Sequence, residues 1–312
     1  MTLVVPEWYR ELVEPGLDGA AATFYRDEKG ALEALPAADG FWLELWGQDP
    51  SVEGLVTAGK GLRWIQLSSA GVESMDFELL RRRGIMLTNG AGLHAPPIAE
   101  HVVMCMLMAG RGILPLLRAQ AEGRWDRRAG GRAELAGSEV LILGYGLIGR
   151  AIAKKARALG AHVIGARRRG RAGRDVVVGD AWHELLPQTD FLVVAAPLTP
   201  ATRGIVGRAE LAALKPGSWL VNIARGPLVD EAALLDALDG GTLGGAALDV
   251  FDQEPLPKGH PLWSKPNVIL TPHVSASTTR MQQRAAALFL DNAARFQAGR
   301  RLRNVVDLRA GY

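Results

Sequence analysis

Short apolar runs alternate with polar or amphipathic segments along most of the chain. Runs of this length, bounded by glycine, proline or polar residues, predict strands that are buried on both faces, as in parallel sheets. The predicted strands are residues 3–5, 40–45, 62–67, 85–88, 140–143, 161–166, 191–196, 219–223, 245–250 and 268–270. The predicted helices are residues 75–83, 96–108, 113–121, 151–159, 208–214 and 278–298, with one more that begins at Asp230. This alternation predicts an α/β protein with a doubly wound parallel sheet, the Rossmann arrangement.

One of these strands leads into a glycine-rich turn. Residues 140–143 are followed by Gly144, Tyr145, Gly146, Leu147, Ile148 and Gly149. Gly144 would allow a tight turn, Gly146 would let a pyrophosphate approach the backbone, and Gly149 would let the next helix lie close to its strand. The N-terminus of that helix supplies N–H donors for phosphate oxygens. The pattern alone is weak, but its flanking strand and helix and the second strand at 161–166 make it predict a dinucleotide site.

The residue that reads the ribose of the dinucleotide is expected at the end of that second strand. An NAD enzyme has Asp or Glu there, which accepts a hydrogen bond from the 2′-hydroxyl group. This chain has Arg167, Arg168 and Arg169 instead, and guanidinium groups suit a 2′-phosphate through charge-assisted hydrogen bonds. The alternative is a solvated basic turn. We therefore expect NADP as the cofactor, with NAD bound more weakly.

Composition and charge narrow the class of protein. The chain has 312 residues, of which 48% are hydrophobic and 22% are charged, and this suffices for two domains with apolar cores. The formal net charge of +3 does not require a nucleic-acid partner. Cys105 is the single cysteine, which excludes an intrachain disulfide and a cysteine-based metal cluster, and no metal is expected. The N-terminus lacks a signal-peptide pattern and the most apolar segment is shorter than the ~20 residues of a membrane span, so we expect a soluble, cytoplasmic protein without a membrane partner.

Three potentially reactive side chains follow predicted strands in the C-terminal half of the chain: Arg225, Glu254 and His273. Taken one at a time, they are interpreted as a surface cation, a turn residue and a core histidine. Because the carboxyl ends of parallel strands meet at one edge of a sheet, all three are expected at the same edge as the glycine turn. That edge is where the nicotinamide of a dinucleotide would lie, so these residues are the candidate catalytic groups.

Five motifs, in order along nearly the whole chain, resemble those of the D-isomer-specific 2-hydroxyacid dehydrogenase family. The motifs are residues 144–149, 197–204, 222–231, 247–251 with 254–256, and 271–273. The resemblance, here to the glyoxylate/hydroxypyruvate reductase-like members, implies a dinucleotide-binding domain at residues 93–280. This domain would be inserted in a smaller, flavodoxin-like α/β substrate domain made of residues 1–92 and 281–312. The family also implies a homodimer formed largely by the dinucleotide-binding domain.

The resemblance implies a role for each matching residue. Arg225 would bind the carboxylate and carbonyl of a 2-oxo acid, His273 would be the acid/base, and Glu254 would orient and charge the imidazole. The backbone N–H groups of Ala70 and Gly71 would hold the substrate carboxylate. Besides the glycine turn and the three arginines, the implied cofactor contacts are Pro197, Thr202, Ala224 and, at the carboxamide end of the nicotinamide, Asp249. Trp125 resembles an aromatic residue that reaches the neighbouring subunit in some members.

Some positions depart from the family pattern or keep two interpretations open. Ser275 stands where glycine or alanine is usual, which leaves the shape of the pocket beside His273 undefined, and Glu73 replaces a frequent aspartate. Three residues near the end of a strand either line the pocket for the substrate side chain or belong to the core: Trp42, Leu45 and Trp46.

The expected function is hydride transfer between NADP(H) and a 2-oxo acid/D-2-hydroxy acid pair, as in a glyoxylate- or hydroxypyruvate-type reductase. A 2-oxo acid needs a cation for its carboxylate, a proton donor at its carbonyl oxygen and a hydride above C2. Arg225, His273 and NADPH would supply them. The alternatives are a phosphite-type dehydrogenase on the same fold and a dinucleotide-sensing corepressor or scaffold protein. Formate oxidation is disfavoured, because formate dehydrogenases typically have glutamine where Glu254 stands.

Overall fold

The computed structural model describes residues 1–44, 52–72, 74–131 and 133–309. The chain forms two compact units, a first one of Met1–Leu93 with Thr278–Tyr312 and a second one of His94–Ser277. Each unit has its own parallel sheet and its own apolar core. The α/β fold class predicted from the sequence is confirmed.

Each predicted helix and strand has a counterpart close to its predicted position. Within the described residues, the strands are β1 (Thr2–Pro6), β2 (Ala21–Tyr25), β3 (Gly40–Leu43), β4 (Trp64–Leu67), β5 (Met86–Thr88), β6 (Glu139–Leu143), β7 (His162–Arg167), β8 (Val176–Val178), β9 (Phe191–Val194), β10 (Trp219–Asn222), β11 (Gly245–Leu248) and β12 (Val268–Leu270). The helices are α1 (Arg10–Val13), α2 (Glu28–Ala34), α3 (Val52–Ala58), α4 (Phe77–Arg83), α5 (Ala95–Gly110), α6 (Ile113–Ala121), α7 (Leu147–Ala158), α8 (Arg208–Ala213), α9 (Glu231–Asp239) and α10 (Met281–Gln297).

The described strands of the first unit form a parallel sheet in the order β2-β1-β3-β4-β5. Strands β3 and β4 are buried along their whole length, because both of their faces are covered. On one face, the ring of Phe289 from α10 stacks on Trp42 and on Trp64, with centroid distances of 4.7 and 5.2 Å. This aromatic stack fixes α10 on the sheet.

Trp42 therefore belongs to the core of the first unit. Its ring is fully buried and also stacks on Tyr9 at a centroid distance of 4.0 Å. Its indole N–H donates a hydrogen bond to Ser68 Oγ at 2.9 Å. The other two residues considered for a side-chain pocket, Leu45 and Trp46, lie outside the described residues, and so does Glu73.

The described strands of the second unit form a parallel sheet in the order β12-β11-β10-β9-β6-β7-β8. Alternate residues of β6 enter two different cores: Val140 and Ile142 pack with α5 and α7, whereas Leu141 and Leu143 pack with α8 and α9. The strands that flank β6 are β7 and β9, so the strand order reverses at this point. In such sheets the loops after the reversing strands open a crevice that binds ligands, and the glycine turn lies there.

The sequence pattern did not predict β2 and β8, which are two of the four edge strands in the described sheets. Residues along β2 alternate between exposed and partly buried, and β8 has three half-buried valines. Because β2 is covered on one side only, it lacks the continuous apolar run that marks a central strand, and β8 is a run of only three residues. The predicted strands at 191–196 and 245–250 end earlier, at Val194 and Leu248, because the residues that follow enter the loops of the site.

Among the described residues, no single helix has both the length and the apolar composition needed to cross a membrane. The helices α5 and α6 meet that criterion only as a pair, and a bend of 72° separates them.

Candidate active site

The glycine turn after β6 has the backbone geometry that its sequence requires. Gly144 has a φ of +98°, and a Cβ atom there would lie 2.4 Å from the backbone nitrogen of Ala196. A Cβ atom at Gly149 would lie 2.3 Å from the carbonyl oxygen of Gly144, so α7 packs directly on the turn. At Gly146 nothing lies within 4 Å of the Cβ position. The backbone of Gly146 is therefore open to an approaching ligand, as a pyrophosphate would need.

A cavity of about 430 Å³ opens beside this turn, and seven of the thirteen predicted cofactor residues line it. Its described lining includes Gly144, Tyr145, Gly146, Arg167, Arg168, Pro197 and Thr202. The other predicted cofactor residues lie outside this lining: Leu147, Ile148 and Gly149 in α7, Arg169 on the exposed turn after β7, and Ala224 and Asp249 in the loops after β10 and β11. The cavity is therefore built from the segments at the ends of β6, β7, β8 and β9.

Arg167 offers this cavity an unpaired cationic group. Its side chain is half-buried, and among the described residues its Nε atom is buried without a hydrogen-bond partner. A buried guanidinium nitrogen without an acceptor is costly, and a phosphate oxygen would satisfy it. The residues present therefore fit a phosphorylated dinucleotide on the side of its adenosine ribose.

A carboxylate that the sequence analysis did not consider lines the same cavity. Asp180 is exposed and lies in the 3₁₀ helix Gly179–Gln188 that directly follows β8. No acid follows β7 directly, but the segment after the next strand, β8, brings the carboxylate of Asp180 to the cavity. The sequence contained no signal for this residue, since β8 itself was not predicted. Asp180 is able to accept a hydrogen bond from a ribose hydroxyl group.

The ring of Tyr145 depends on a glycine in the next strand. A Cβ atom at Gly165 would lie 2.0 Å from the Tyr145 ring, so the ring lies flat against the backbone of β7. The Tyr145 hydroxyl group also accepts a hydrogen bond from Arg157 at 3.2 Å. Tyr145 thereby forms one wall of the cavity at a fixed position.

The loop after β9 is held by the hydroxyl group of Thr202. Thr202 Oγ1 donates to the carbonyl oxygen of Pro197 at 2.7 Å and accepts from the backbone N–H of Thr199 at 2.8 Å. These two bonds close the loop on itself, so Pro197 and Thr202 present a preformed rim to the cavity.

His273 and Glu254 form a hydrogen-bonded pair. His273 Nδ1 lies 2.7 Å from Glu254 Oε2, and Glu254 Oε1 accepts from the backbone N–H of Phe251 at 2.9 Å. Burial alone would raise the pKa of the Glu254 carboxyl, but the hydrogen bonds from His273 and Phe251 outweigh it and lower that pKa. Glu254 is therefore ionised at neutral pH, and it stabilises the positive charge of a protonated imidazole. With Nδ1 engaged, Nε2 is the ring atom left to exchange a proton with a substrate.

Asp249 holds the loop on which His273 lies. Its buried carboxylate accepts from Thr271 Oγ1 at 2.6 Å and from the backbone N–H groups of Val274 and Ser275, both at 2.9 Å. Its carbonyl oxygen accepts from the backbone N–H of His273 at 2.8 Å. His273 has a φ of +54°, a left-handed conformation that is uncommon for a residue with a side chain. The contact of Asp249 with the nicotinamide stays a prediction, but its role in holding this loop is evident from the hydrogen bonds.

The departure at Ser275 has a structural explanation. Ser275 is buried, and its side chain joins its backbone N–H as a hydrogen-bond donor to Asp249. Burial alone would raise the pKa of Asp249, yet the bonds from Ser275, Thr271 and Val274 lower it. His101, on α5, adds a further contact at 3.3 Å to Thr271 Oγ1. The sequence did not reveal His101, because its partners are distant along the chain.

Arg225 lies in the same region of the second unit. Arg225 lies in the loop that follows β10. The side chain of Asn222 donates a hydrogen bond to its carbonyl oxygen at 3.0 Å. A Cβ atom at Gly226 would lie 2.0 Å from the backbone of Phe251, so the loop with Arg225 packs on the loop that leads to Glu254. Arg225 is exposed and near enough to Glu254 to lower its pKa electrostatically. The structure thus brings Arg225, Glu254 and His273 to one edge of the sheet.

Ala70 and Gly71 lie in the first unit, in the loop after β4. The carbonyl oxygen of Ala70 accepts from Asn89 Nδ2 at 2.7 Å, and that of Gly71 accepts from Ser69 Oγ at 2.8 Å. These bonds fix the loop through its carbonyl groups. Over the described ranges of both units, no three His, Cys, Asp or Glu side chains are grouped as metal ligands would be.

Comparison with known proteins identifies several dehydrogenases as relatives. A family model for the NAD binding domain of D-isomer specific 2-hydroxyacid dehydrogenases matches residues 103–275. A glycerate dehydrogenase from Methylorubrum extorquens is 36% identical over 257 residues, which cover 79% of this chain and 79% of that protein. A D-3-phosphoglycerate dehydrogenase from Methanocaldococcus jannaschii is 35% identical over 258 residues, which cover 81% of this chain and 49% of that protein. The chain thus spans about half the length of this archaeal relative.

Solved structures agree with the sequence comparison. A D-isomer specific 2-hydroxyacid dehydrogenase from Xanthobacter autotrophicus Py2, solved in complex with NADPH and MES, is 31% identical with a TM-score of 0.75. The similarity covers 100% of this chain and 99% of that chain.

The network around Asp249 predicts a pH-dependent loss of stability in the Asp249→Asn variant. Because the folded state lowers the pKa of this carboxyl, its contribution is complete above the ordinary value of 3.8 and is lost as the pH falls through the folded-state pKa. At neutral pH we expect Asp249→Asn to lower the free energy of unfolding by about 1.5–3 kcal/mol. Urea unfolding at a series of pH values measures the difference in the free energy of unfolding between the variant and wild type. This difference should decrease as the pH falls.

Asp252→Asn is the matched control in the neighbouring loop. Burial and the nearby Glu231 carboxylate raise the pKa of Asp252, so its ionised form is not a source of stability and its replacement should not destabilise the protein at neutral pH. A difference between Asp249→Asn and wild type that is constant across the pH range would contradict the assignment.

Proposed function

The chain belongs to the D-isomer specific 2-hydroxyacid dehydrogenase family, and on this basis we propose that it reduces 2-oxo acids to D-2-hydroxy acids with NADPH. Glyoxylate and hydroxypyruvate are the small substrates with which to begin. The observation that carries the proposal is the hydrogen-bonded pair of His273 and Glu254 beside Arg225, at the edge of the sheet that also holds the dinucleotide cavity.

Each group has a task in the proposed reaction. Arg225 binds the carboxylate and polarises the carbonyl group of the substrate through its planar guanidinium fork. The family resemblance also assigns the backbone N–H groups of Ala70 and Gly71, in the first unit, to a substrate carboxylate. Protonated His273 donates a proton from Nε2 to the carbonyl oxygen, and the Glu254 carboxylate balances the positive charge of the ring. The bound nicotinamide supplies the hydride for C2 of the substrate.

The direct test is consumption of NADPH with a panel of 2-oxo acids. The panel contains glyoxylate, hydroxypyruvate, pyruvate and bulkier analogues, and chiral analysis identifies the D-product. His273→Ala should lower kcat by about 10²–10⁴-fold, because a positioned acid contributes that much. Phosphite oxidation without 2-oxo acid reduction, or NADPH binding without any turnover, would overturn the proposal in favour of a different function for this fold.

Glu254→Gln is the sharper test of the acid/base pair. The substitution keeps the shape of the side chain but removes the negative charge that stabilises the imidazolium ion. Reduction needs the protonated ring, so its alkaline limb in the pH–rate profile should move to lower pH. Oxidation needs the neutral ring, so its acidic limb should move in the same direction. Profiles that overlay those of wild type in both directions would show that Glu254 does not act through His273.

We propose that NADPH is preferred over NADH. The support is the buried, unpaired Nε of Arg167 together with Arg168 in the dinucleotide cavity, and the Xanthobacter relative was solved with NADPH. Asp180 opposes this preference, because it suits a free ribose hydroxyl group. We expect the two arginines to dominate, since a 2′-phosphate forms several charge-assisted bonds with them.

The preference is measured as the ratio of kcat/KM with NADPH to that with NADH. Arg167→Ala should lower this ratio about ten- to a hundredfold, the effect of one or two charged hydrogen bonds. Arg174→Ala, an exposed arginine of the same basic region outside the cavity, is the control and should keep the ratio. Equal or better kcat/KM with NADH in wild type would sink the proposal.

We also propose that the chain forms a homodimer through the surface around α6. Trp125, just after this helix, is 91% exposed, and Leu117 within it is 50% exposed. Large apolar side chains that are exposed together mark an interaction surface, and a second copy is the partner that the family implies.

Sedimentation should report twice the chain mass of 33.4 kDa. Trp125→Glu should shift the mass towards the monomer, whereas Leu32→Glu in the first unit should not; a monomeric wild type at micromolar concentration would refute the dimer.

A further inference from the structure

A second large cavity, of about 640 Å³, lies wholly in the first unit. Its described lining includes residues at the carboxyl ends of strands, with Trp8 after β1, Tyr25 at the end of β2, and Leu43 and Glu44 at the end of β3. Ligands bind at the carboxyl edge of open parallel sheets. The cavity is distinct from the dinucleotide cavity, which lies in the second unit.

Glu44 is a partly buried carboxylate in the lining of this cavity. Its backbone N–H donates to Tyr25 Oη at 3.2 Å, and its Oε1 accepts from Tyr9 Oη at 3.3 Å. Its Oε2 is buried without a donor in full hydrogen-bond geometry among the described residues, although the side chains of Ser68 and Trp8 also interact with this carboxyl. A buried carboxylate oxygen without a donor is costly, and a cationic ligand group would remove that cost. Burial raises the pKa of the Glu44 carboxyl, and the side chains of Tyr9, Ser68 and Trp8 oppose this shift only in part.

The surroundings of Glu44 also favour a cation. The aromatic rings of Trp8, Tyr25 and Phe41 contribute to the lining, and the face of an aromatic ring attracts ammonium and guanidinium groups. Two more carboxylates, of Asp27 and Glu28, also line the cavity.

The cation in the described lining is Arg26. Its side chain is 83% exposed and lies 3.8 Å from the carboxylate of Glu7, so it is directed to another partner and does not neutralise Glu44. The described lining thus contains more carboxylates than cations, and a positively charged ligand group is better accommodated than a negative one.

The cavity lies beside the loop that would hold the substrate carboxylate. Leu43 of β3 is paired in register with Leu67 of β4, so Glu44 and Ser68 leave the sheet side by side. Ala70 and Gly71 follow Ser68 in the same loop. A ligand whose carboxylate binds at this loop therefore has its remaining atoms within reach of the cavity.

We propose that this cavity receives the side chain of the substrate, and that this side chain ends in an ammonium or guanidinium group. The inference rests on the proposed function and narrows it. The preferred substrate becomes a 2-oxo acid with a long basic side chain, and glyoxylate and hydroxypyruvate become poorer substrates that leave the cavity unfilled.

Two substrates of the same shape test the role of charge. The 2-oxo acid 5-guanidino-2-oxopentanoate is cationic at its end, and 2-oxo-5-ureidopentanoate is its neutral isostere. With NADPH, kcat/KM should be about ten- to a hundredfold higher for the guanidino acid, the effect of a charge-assisted bond. The anionic 2-oxohexanedioate should be the poorest substrate of the three.

Variants at position 44 test whether the charge of Glu44 causes the preference for the guanidino acid. Glu44→Gln keeps an acceptor but removes the charge, so the ratio of guanidino to ureido acid should fall to about one. Glu44→Asp keeps the charge and should retain most of the ratio, which separates the loss of charge from a loss of folding. Glu33→Gln, an exposed residue on α2, is the control and should leave the ratio unchanged. A ratio that survives in Glu44→Gln would overturn the proposal.

Calorimetric titration of the two acids without NADPH separates this inference from the proposed function. If neutral 2-oxo acids are reduced but the guanidino acid binds and reacts no better than its isostere, the cavity proposal is wrong and the proposed function stands. If no 2-oxo acid is reduced, the proposed function fails. In that case, tighter binding of the guanidino acid to wild type than to Glu44→Gln would still support a cation site, and equal binding would refute it.

Discussion

The candidate active site depends on the hydrogen bonds that converge on the carboxylate of Asp249. A left-handed conformation at a residue with a side chain costs about 1–2 kcal/mol, and His273 adopts one. A hydrogen bond to a charged group contributes about 1.5–3 kcal/mol, and Asp249 accepts several from residues on both sides of His273. The bonds therefore outweigh the strain. Without them, the loop would relax and the imidazole would lose its alignment with Glu254.

Much of the fold and of the site could be predicted because both rest on local patterns. Central strands of a parallel sheet are buried on both faces, and their apolar runs are visible in the sequence. The ends of those runs locate the loops, so the amino-acid sequence alone was enough to assign Arg225, Glu254 and His273 to one edge of the sheet. The glycine turn was equally visible, since the positive φ of Gly144 and the contact of Gly149 with Gly144 both arise within a single strand-turn-helix unit.

What could not be predicted depends on contacts between distant segments or on edge strands. Asp180 reaches the dinucleotide cavity through β8, which has too little apolar sequence to be recognised. Ser275 was seen as a departure from the family pattern, but its bond to Asp249 follows only from the folded loop. Glu44 follows a well-predicted strand, yet nothing in the sequence distinguishes a buried carboxylate from a solvated one. Its environment is set by Tyr9 and Tyr25, which belong to other elements.

The close contact between the Tyr145 ring and Gly165 has a consequence for how this fold varies among relatives and in the laboratory. The ring fills the space that a side chain at position 165 would need. The residues tolerated at positions 145 and 165 therefore depend on each other. A larger residue in β7 becomes acceptable only once the aromatic residue in the glycine turn has been replaced by a small one. Most members of a library that varies the two positions independently will therefore have a steric clash between the two side chains. In relatives, the residues at these two positions should change together.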